Sequence, residues 1–207
     1  YEETTEQRSG VLATSKEIIT SEEKSALFIL LAIFAWFIGY NAIETFWTTY
    51  GKEFLGIKES SAAMMLTYTS AAFLLCALPS GFIATRFGRR RTILAGLSIL
   101  LVMILGGLFT TNMIYLTVML ILAGVGWALI NINSFPMVSD LAPPGKIGSY
   151  TGLYYFFSML AAITAPPLAG ALMDLFGHRM LFVFSPVFMG LAILCMSRVK
   201  RGEAHAS

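Results

Sequence analysis

Glu44 is the one ionisable side chain after the start of the first apolar segment that cannot readily be assigned to a loop. Tyr40, Asn41, Trp47 and Thr48 lie three or four residues away from it, so a helix would place all five on one side. A carboxylate in the hydrocarbon core of a bilayer costs about 2.5–3.5 kcal/mol on insertion scales and usually faces a cavity. Carboxylate and amide groups offer hydrogen bonds, whereas Tyr and Trp offer flat apolar faces with a polar edge. This combination suits a hydroxyl-rich ring such as a sugar.

Two positions in the membrane are open for Glu44. In a water-poor cavity, its carboxyl group is a candidate proton carrier. Near the outer headgroups it is an interfacial residue instead. Counted from Ser25 at 1.5 Å per residue, Glu44 is already about 28 Å along the helix. The polar and aromatic neighbours therefore favour a cavity, while the depth favours the interface.

Further polar residues occur in the second half of the chain. A shift of 89 residues maps Glu44 onto Asn133, and Asn131 lies two positions earlier. Residues two apart do not share a helix face, so we expect at most one of these amides to line the same cavity. Tyr154 belongs to a polar and aromatic stripe on a later segment, for which packing and substrate contact both remain open.

No pattern in the sequence indicates an enzyme or a metal site. Asp140 and Asp174 are predicted to lie in separate loops on opposite sides of the membrane, and no paired acids or His/Cys/carboxylate groups have suitable spacing. Cys76 and Cys195 fall within apolar runs, where packed free thiols are the usual interpretation. We expect no cofactor, no metal and no nucleic-acid partner.

The composition predicts a polytopic membrane protein. Of the 207 residues, 57% are hydrophobic and 13% are charged, whereas soluble domains carry about a quarter charged residues. The charges divide the chain into apolar segments long enough to cross a bilayer. A run of uncharged residues too long for one crossing is split by the polar turn Thr110–Asn112. The six predicted spans are Ser25–Tyr50, Ser60–Thr85, the two parts of Thr92–Ser139, Ile147–Met173 and Met180–Ser197.

The termini are predicted to lie outside the bundle. Residues 1–24 are polar and are interpreted as a cytoplasmic linker, residues 25–198 as the six-helix bundle, and residues 199–207 as a cytoplasmic tail. Thr20 and Glu23 have the spacing of a capping box, which predicts a helix start there. The chain begins at Tyr1 without a signal-peptide pattern, so we interpret it as part of a longer protein.

The orientation follows from the basic residues. Six spans place both ends on the same side, and a cytoplasmic assignment puts eleven Lys and Arg residues inside and three outside. The positive-inside rule favours this arrangement. We therefore expect an integral protein of the plasma (inner) membrane.

A basic turn, Pro79–Leu94, separates two long apolar runs, as in a membrane hairpin whose turn stays in the cytoplasm. Its skeleton returns 89 residues later, since Gly81, Phe87, Gly88 and Arg90 correspond to Gly170, Phe176, Gly177 and Arg179. With about three spans per copy, the repeat predicts an all-α membrane protein with a 3+3 inverted repeat.

The basic turn resembles the loop motif G-x-x-x-D-R-x-G-R-R of the major facilitator superfamily. The matching residues are Gly81, Arg86, Gly88, Arg89 and Arg90. Thr85 stands where the family often has Asp, whereas Asp174 occupies the equivalent place in the second copy, Gly170–Arg179. The runs Tyr40–Gly56 and Gly145–Phe157 are more loosely similar to the sucrose-transporter-like branch of proton-coupled glycoside carriers.

The resemblance implies half of a twelve-helix transporter, namely the C-terminal six-helix half. Its partners would be a small-molecule substrate, a proton or other coupling ion, the lipid bilayer and the missing N-terminal half. The expected function is secondary transport of a sugar or glycoside with protons by alternating access, and the basic turn would bind anionic lipid or lock the cytoplasmic gate. A proton-coupled exporter of drugs or metabolites and a non-transporting sensor or scaffold are the alternatives.

Overall fold

The computed structural model describes residues 2–202, and all the regular structure in this range is helical. A π-helical turn, Tyr50–Phe54, continues the second helix, and a 3-10 turn, His178–Met180, precedes the last. The helices are α1 (Glu2–Thr20), α2 (Ser25–Thr49), α3 (Glu59–Phe87), α4 (Arg89–Gly107), α5 (Met113–Leu141), α6 (Ile147–Phe176) and α7 (Leu181–Ser197). By length and composition, α2–α7 can each cross a membrane, which confirms the six predicted spans. Of the predicted tail, residues 203–207 lie outside the described range.

The polar turn predicted between the third and fourth spans is present. Asn112 caps the start of α5, because its side-chain oxygen accepts hydrogen bonds from the backbone of Ile114 at 2.9 Å and of Tyr115 at 3.2 Å. These bonds satisfy backbone donors that have no partner within the helix. A short polar sequence was therefore enough to locate this boundary.

Most of the polar leader forms α1. The capping-box prediction is wrong. The Thr20 hydroxyl donates back into α1, to the Lys16 carbonyl at 2.9 Å. At the start of α2, Lys24 is the N-cap residue, and the carboxylate of the preceding Glu23 accepts a hydrogen bond from the backbone of Ser25 at 3.1 Å. Ile18 of α1 is buried, and α1 packs against the first turns of α6.

The helices are arranged as two interlocked repeats of three. The first helix of each repeat packs mainly against the second and third helices of the other: α2 against α6 and α7, and α5 against α3 and α4. The third helices, α4 and α7, pack against each other. The turns that follow the second helices also match, because Gly88 and Gly177 have φ values of 92° and 89°, which L side chains rarely adopt. This geometry agrees with the 3+3 repeat expected from the sequence.

Glycines allow the closest helix approaches. At the crossing of α4 and α5, a Cβ added to Gly96 would lie 2.5 Å from the Gly126 carbonyl oxygen. At the crossing of α3 and α5, a Cβ added to Gly124 would lie 2.2 Å from the Thr69 carbonyl oxygen. Small residues let helix backbones approach in membranes, where packing contacts favour association. These crossings fix α5 against both of its neighbours.

Candidate functional site

An open cavity of about 320 Å³ lies between the middle parts of α2, α3 and α5. We call it the central cavity. Its lining residues are Phe37, Tyr40, Asn41, Glu44, Ser70, Phe73, Trp127 and Asn131. Polar and aromatic side chains from three helices therefore meet at one place, whereas most of the surrounding bundle is apolar.

The depth of the central cavity follows from helix lengths. The span that begins with α2 continues for 30 residues to Phe54, so Glu44 is ten residues, or about 15 Å, from its C-terminal end. Asn131 is likewise ten residues, about 15 Å, from the C-terminal end of α5 at Leu141. Both residues line the same cavity, which therefore lies near the middle of the bundle and not at either end.

Stacked rings form one wall of the central cavity. The rings of Tyr40 and Trp127 are parallel within 4°, and their centroids are 3.8 Å apart. Phe37 meets the same indole edge-on at 5.1 Å. Such aromatic pairs add about 0.5–1.5 kcal/mol beyond the burial of their area. The stack therefore holds a flat apolar surface in a fixed orientation beside the polar groups.

The polar groups of the central cavity are one carboxylate and several uncharged donors and acceptors. Glu44 is exposed and takes part in none of the ion pairs among the side chains that the structure describes. The amide nitrogen of Asn41 donates to the Phe37 carbonyl at 2.7 Å, which leaves its oxygen as an acceptor. No Lys, Arg or His is among the described residues that line the cavity. Glu44 is thus the one charged side chain among the described residues that line the cavity.

Three of the sequence-predicted site residues have packing positions instead. Trp47 is completely buried, and its Nε1 donates to the Ala62 carbonyl of α3 at 3.1 Å. Asn133 is also buried and donates to the Leu129 carbonyl of its own helix at 2.9 Å. Tyr154 is buried between α5 and α6, with its hydroxyl 3.2 Å from that of Ser134 and its ring against Phe135. Of the two candidate amides, the one that lines the cavity is Asn131.

Several lining residues were missed by the sequence analysis. Trp127 precedes Asn131 by four residues and therefore shares its helix face, so the spacing could have identified it. Ser70 and Phe73 come from α3, whose sequence is apolar over most of its length and has no charged residue at this depth. Nothing in the pattern of α3 marked the face that lines the cavity.

The basic turn is partly engaged at the end of the bundle where α4 begins and α5 and α7 end. Arg89 forms an ion pair with Asp140, which lies in the last turn of α5 and not in a separate loop. Arg90 donates to the carbonyls of Met196 and Ser197 at the end of α7, where carbonyl groups lack helical partners. Two of the four arginines of the turn therefore contact neighbouring helices. Arg86 and Arg91 are exposed.

The second copy of the motif makes different contacts. Asp174 lies in the last turn of α6 and is exposed, and none of the ion pairs in the described part of the chain includes it. Arg179 lies over the ring of Phe54 at 5.1 Å, in a cation–π contact. Gly170 and Gly177 keep the backbone positions that the repeat predicted. The two copies thus share backbone geometry but not charge pairing.

A family profile described as Major Facilitator Superfamily matches residues 9–207. The MFS-type transporter ppzB of Metarhizium rileyi is 27% identical over 135 residues, which are 65% of this chain and 28% of that protein. Siderophore iron transporter 2 of Schizosaccharomyces pombe is 26% identical over 155 residues, which are 72% of this chain and 26% of that protein. The chain spans less than a third of the length of these two relatives.

Solved structures show the same fold. A peptide transporter, POT, in complex with alafosfalin has a TM-score of 0.77 at 20% identity, covering 84% of this chain and 38% of that one. The E. coli fucose:proton symporter FucP has a TM-score of 0.74 at 16% identity, covering 86% of this chain and 43% of that one. At such identities the likeness concerns the fold alone. The coverage is that of one six-helix unit within a longer transporter.

Proposed function

Since the chain belongs to the major facilitator superfamily, we propose that it forms one wall of a secondary transporter for a sugar or glycoside, with Glu44 as the proton carrier. The observation that carries this proposal is the lone carboxylate beside stacked rings and amides in one cavity. The rings offer a face to the apolar side of a sugar, and the acceptors suit its hydroxyl groups. The absence of a lining cation among the described residues argues against an anionic solute.

The open side of the central cavity indicates how transport would proceed. The central cavity is bounded by three helices of this chain, and a second six-helix half would supply the opposite wall. Rocking of the two halves about a central site would expose that site to each side in turn. A fucose:proton symporter shares the fold, which supports proton symport as the mode of coupling.

We propose that the protein lies in the plasma (inner) membrane with both ends of the chain in the cytoplasm. The excess of Lys and Arg on that side supports the assignment. The Arg89–Asp140 pair and the contacts of Arg90 join α4, α5 and α7 at this end, while Arg86 and Arg91 remain available to anionic headgroups. The basic turn therefore has both a locking and a lipid-binding component.

The test is solute-evoked proton uptake in vesicles that contain the full-length protein. A panel of glucosides and disaccharides is applied to wild type, to Glu44→Gln and to Glu59→Gln. Glu59 is a matched control because its carboxylate is exposed at the outer end of α3, away from the central cavity. We expect sugar-evoked alkalinisation of the medium that Glu44→Gln abolishes and Glu59→Gln retains. Equal proton uptake in wild type and Glu44→Gln would reject the role of Glu44.

A second candidate is proton-coupled export of an aromatic organic cation. The specific observation in its favour is that the carboxylate lies in the same cavity as the Tyr40–Trp127 stack, without a cationic partner among the described residues. Cations are attracted to aromatic faces as well as to carboxylates. Proton release driven by such compounds, with no response to any sugar, would favour export. Ligand binding without net flux in either assay would identify a sensor.

A further inference from the structure

A second, smaller space adjoins the central cavity and shares Tyr40, Glu44 and Ser70 with it. We call it the inner chamber. Apolar side chains of α4 and α5, among them Leu100 and Leu120, close its other side. The space open to the centres of water molecules is about 30 Å³. One buried water requires about 10–15 Å³, so the inner chamber has room for water but not for a solute.

Thr69 lines the inner chamber and is unusual in its helix. Its side-chain oxygen is buried and has no hydrogen-bond partner among the described residues, and the whole residue is only 6% exposed. Its neighbours Thr67 and Ser70 donate to the carbonyls four residues earlier, at 3.5 and 3.3 Å. Hydroxyl groups in helices commonly make that bond, and buried hydroxyl groups nearly always have a partner. The Thr69 hydroxyl therefore needs a hydrogen-bond partner from within the inner chamber.

The position of Thr69 is fixed by the crossing of α3 and α5. Gly124 lies so close to the Thr69 carbonyl that an added Cβ would be 2.2 Å from its oxygen. The backbone of Thr69 therefore cannot move toward α5 to find another partner. Thr69 and Glu44 consequently border the same small space.

We propose that the inner chamber binds a water molecule that bridges the Thr69 hydroxyl and the Glu44 carboxylate. The water donates a hydrogen bond to Glu44 when the carboxylate is charged and accepts one when it is protonated. After Glu44 releases its proton, this water supplies a hydrogen-bond partner for the charged carboxylate inside the protein. This role in coupling rests on the proposed function. Thr69 is thus a positioning residue.

The other groups around Glu44 support a water rather than a metal cation. Tyr40 is the one other titratable side chain among the described residues that line the two spaces. The remaining neighbours are uncharged: Thr69 and Ser70 of α3, Leu100 and Ile104 of α4, and Trp127 and Asn131 of α5. The inner chamber offers one carboxylate and three hydroxyl groups, whereas a hard cation such as Ca²⁺ takes 6–8 oxygen ligands.

The test compares Thr69→Val with Thr69→Ser in the full-length protein in lipid nanodiscs. Val keeps the shape and removes the hydroxyl, whereas Ser keeps the hydroxyl and removes a methyl group. Infrared difference spectra at low and high pH report the C=O stretch of protonated Glu44, assigned by its loss in Glu44→Gln. We expect the band to move to higher frequency in Thr69→Val, because the carboxyl group loses a hydrogen bond, and to stay in place in Thr69→Ser.

A band that is unmoved in Thr69→Val would overturn the proposal, as would an equal shift in both variants, which would indicate packing alone. A band that responds to sodium in wild type but not in Thr69→Val would also overturn it and assign a cation to the chamber. Proton-coupled uptake should fall about three- to ten-fold in Thr69→Val, the effect of one hydrogen bond, and stay within about two-fold in Thr69→Ser. Unchanged proton uptake in Glu44→Gln would reject the proposed function separately, since the infrared band does not depend on transport.

Discussion

The substitution Gly124→Ala tests the helix crossing that holds α3 and α5 together beside the central cavity. The added Cβ would lie 2.2 Å from the Thr69 carbonyl oxygen, about 1.2 Å inside the 3.4 Å at which ordinary contact begins. It would also lie 3.0 Å from the Cβ of Ala72. Both contacts involve backbone or Cβ atoms, so no side-chain rotation can relieve them. The two helices must therefore separate.

The expected change in the free energy of unfolding is the sum of two opposing effects. Overpacking of this kind costs about 1–3 kcal/mol. Replacing a helical glycine by alanine returns about 0.5–1 kcal/mol through the backbone entropy of the unfolded state. We expect a net destabilisation of about 2 kcal/mol or less for Gly124→Ala. Since 1 kcal/mol corresponds to about 2–4 °C for a unit of 150–250 residues, the apparent melting temperature should fall by about 4–8 °C at the upper end.

Gly190→Ala in α7 is the matched control, because a Cβ there would meet nothing within 4 Å. It should leave the melting temperature unchanged or raise it slightly. Unfolding is measured in detergent by thiol labelling during heating, since Cys76 and Cys195 are both partly buried. Equal melting temperatures for Gly124→Ala and Gly190→Ala would refute the close crossing of α3 and α5.

Three further perturbations test other parts of the structure. Trp127→Ala removes the stacked wall and should raise the KM for the transported solute by about two- to ten-fold. Trp127→Phe should retain most of the affinity, and uptake kinetics measure both effects. Asp140→Asn should lower the free energy of unfolding by no more than about 1 kcal/mol, because the ion pair with Arg89 is partly exposed. A double-mutant cycle in thermal unfolding measures the coupling energy between the two side chains, and a coupling energy of zero would contradict the pair. Lys146→Ala removes the ion pair between α1 and the start of α6 and should speed proteolysis of the leader, whereas Lys16→Ala should not.

The sequence was informative about the fold because membrane segments follow simple physical rules. Charges and a capping residue located every span to within a few residues, including the turn at Asn112. The glycines of the repeat, Gly88 and Gly177, have matching positive φ values. The leader was less predictable, since its docking on α6 depends on a few buried contacts and one ion pair between distant parts of the chain.

The site was predicted only in part because periodicity gives the direction of a side chain but not what covers it. Tyr40, Asn41 and Glu44 share a helix face and line the central cavity. Trp47 was assigned to that face, but nearer the C-terminal end of α2 the Ala62 turn of α3 covers it. The residues from α3 were missed because a cavity wall made of Ser and Phe resembles any apolar span. Only the assembled helices bring these residues together.

We propose that Glu44 carries the coupled proton, and solute counterflow distinguishes this role from a role in solute binding alone. Exchange of internal for external solute needs a mobile binding site but no net proton movement, whereas accumulation driven by a pH gradient needs proton release. With a substrate identified in the panel, Glu44→Gln should retain counterflow and lose gradient-driven accumulation, while Glu59→Gln keeps both. Accumulation by Glu44→Gln at the wild-type level would contradict the account.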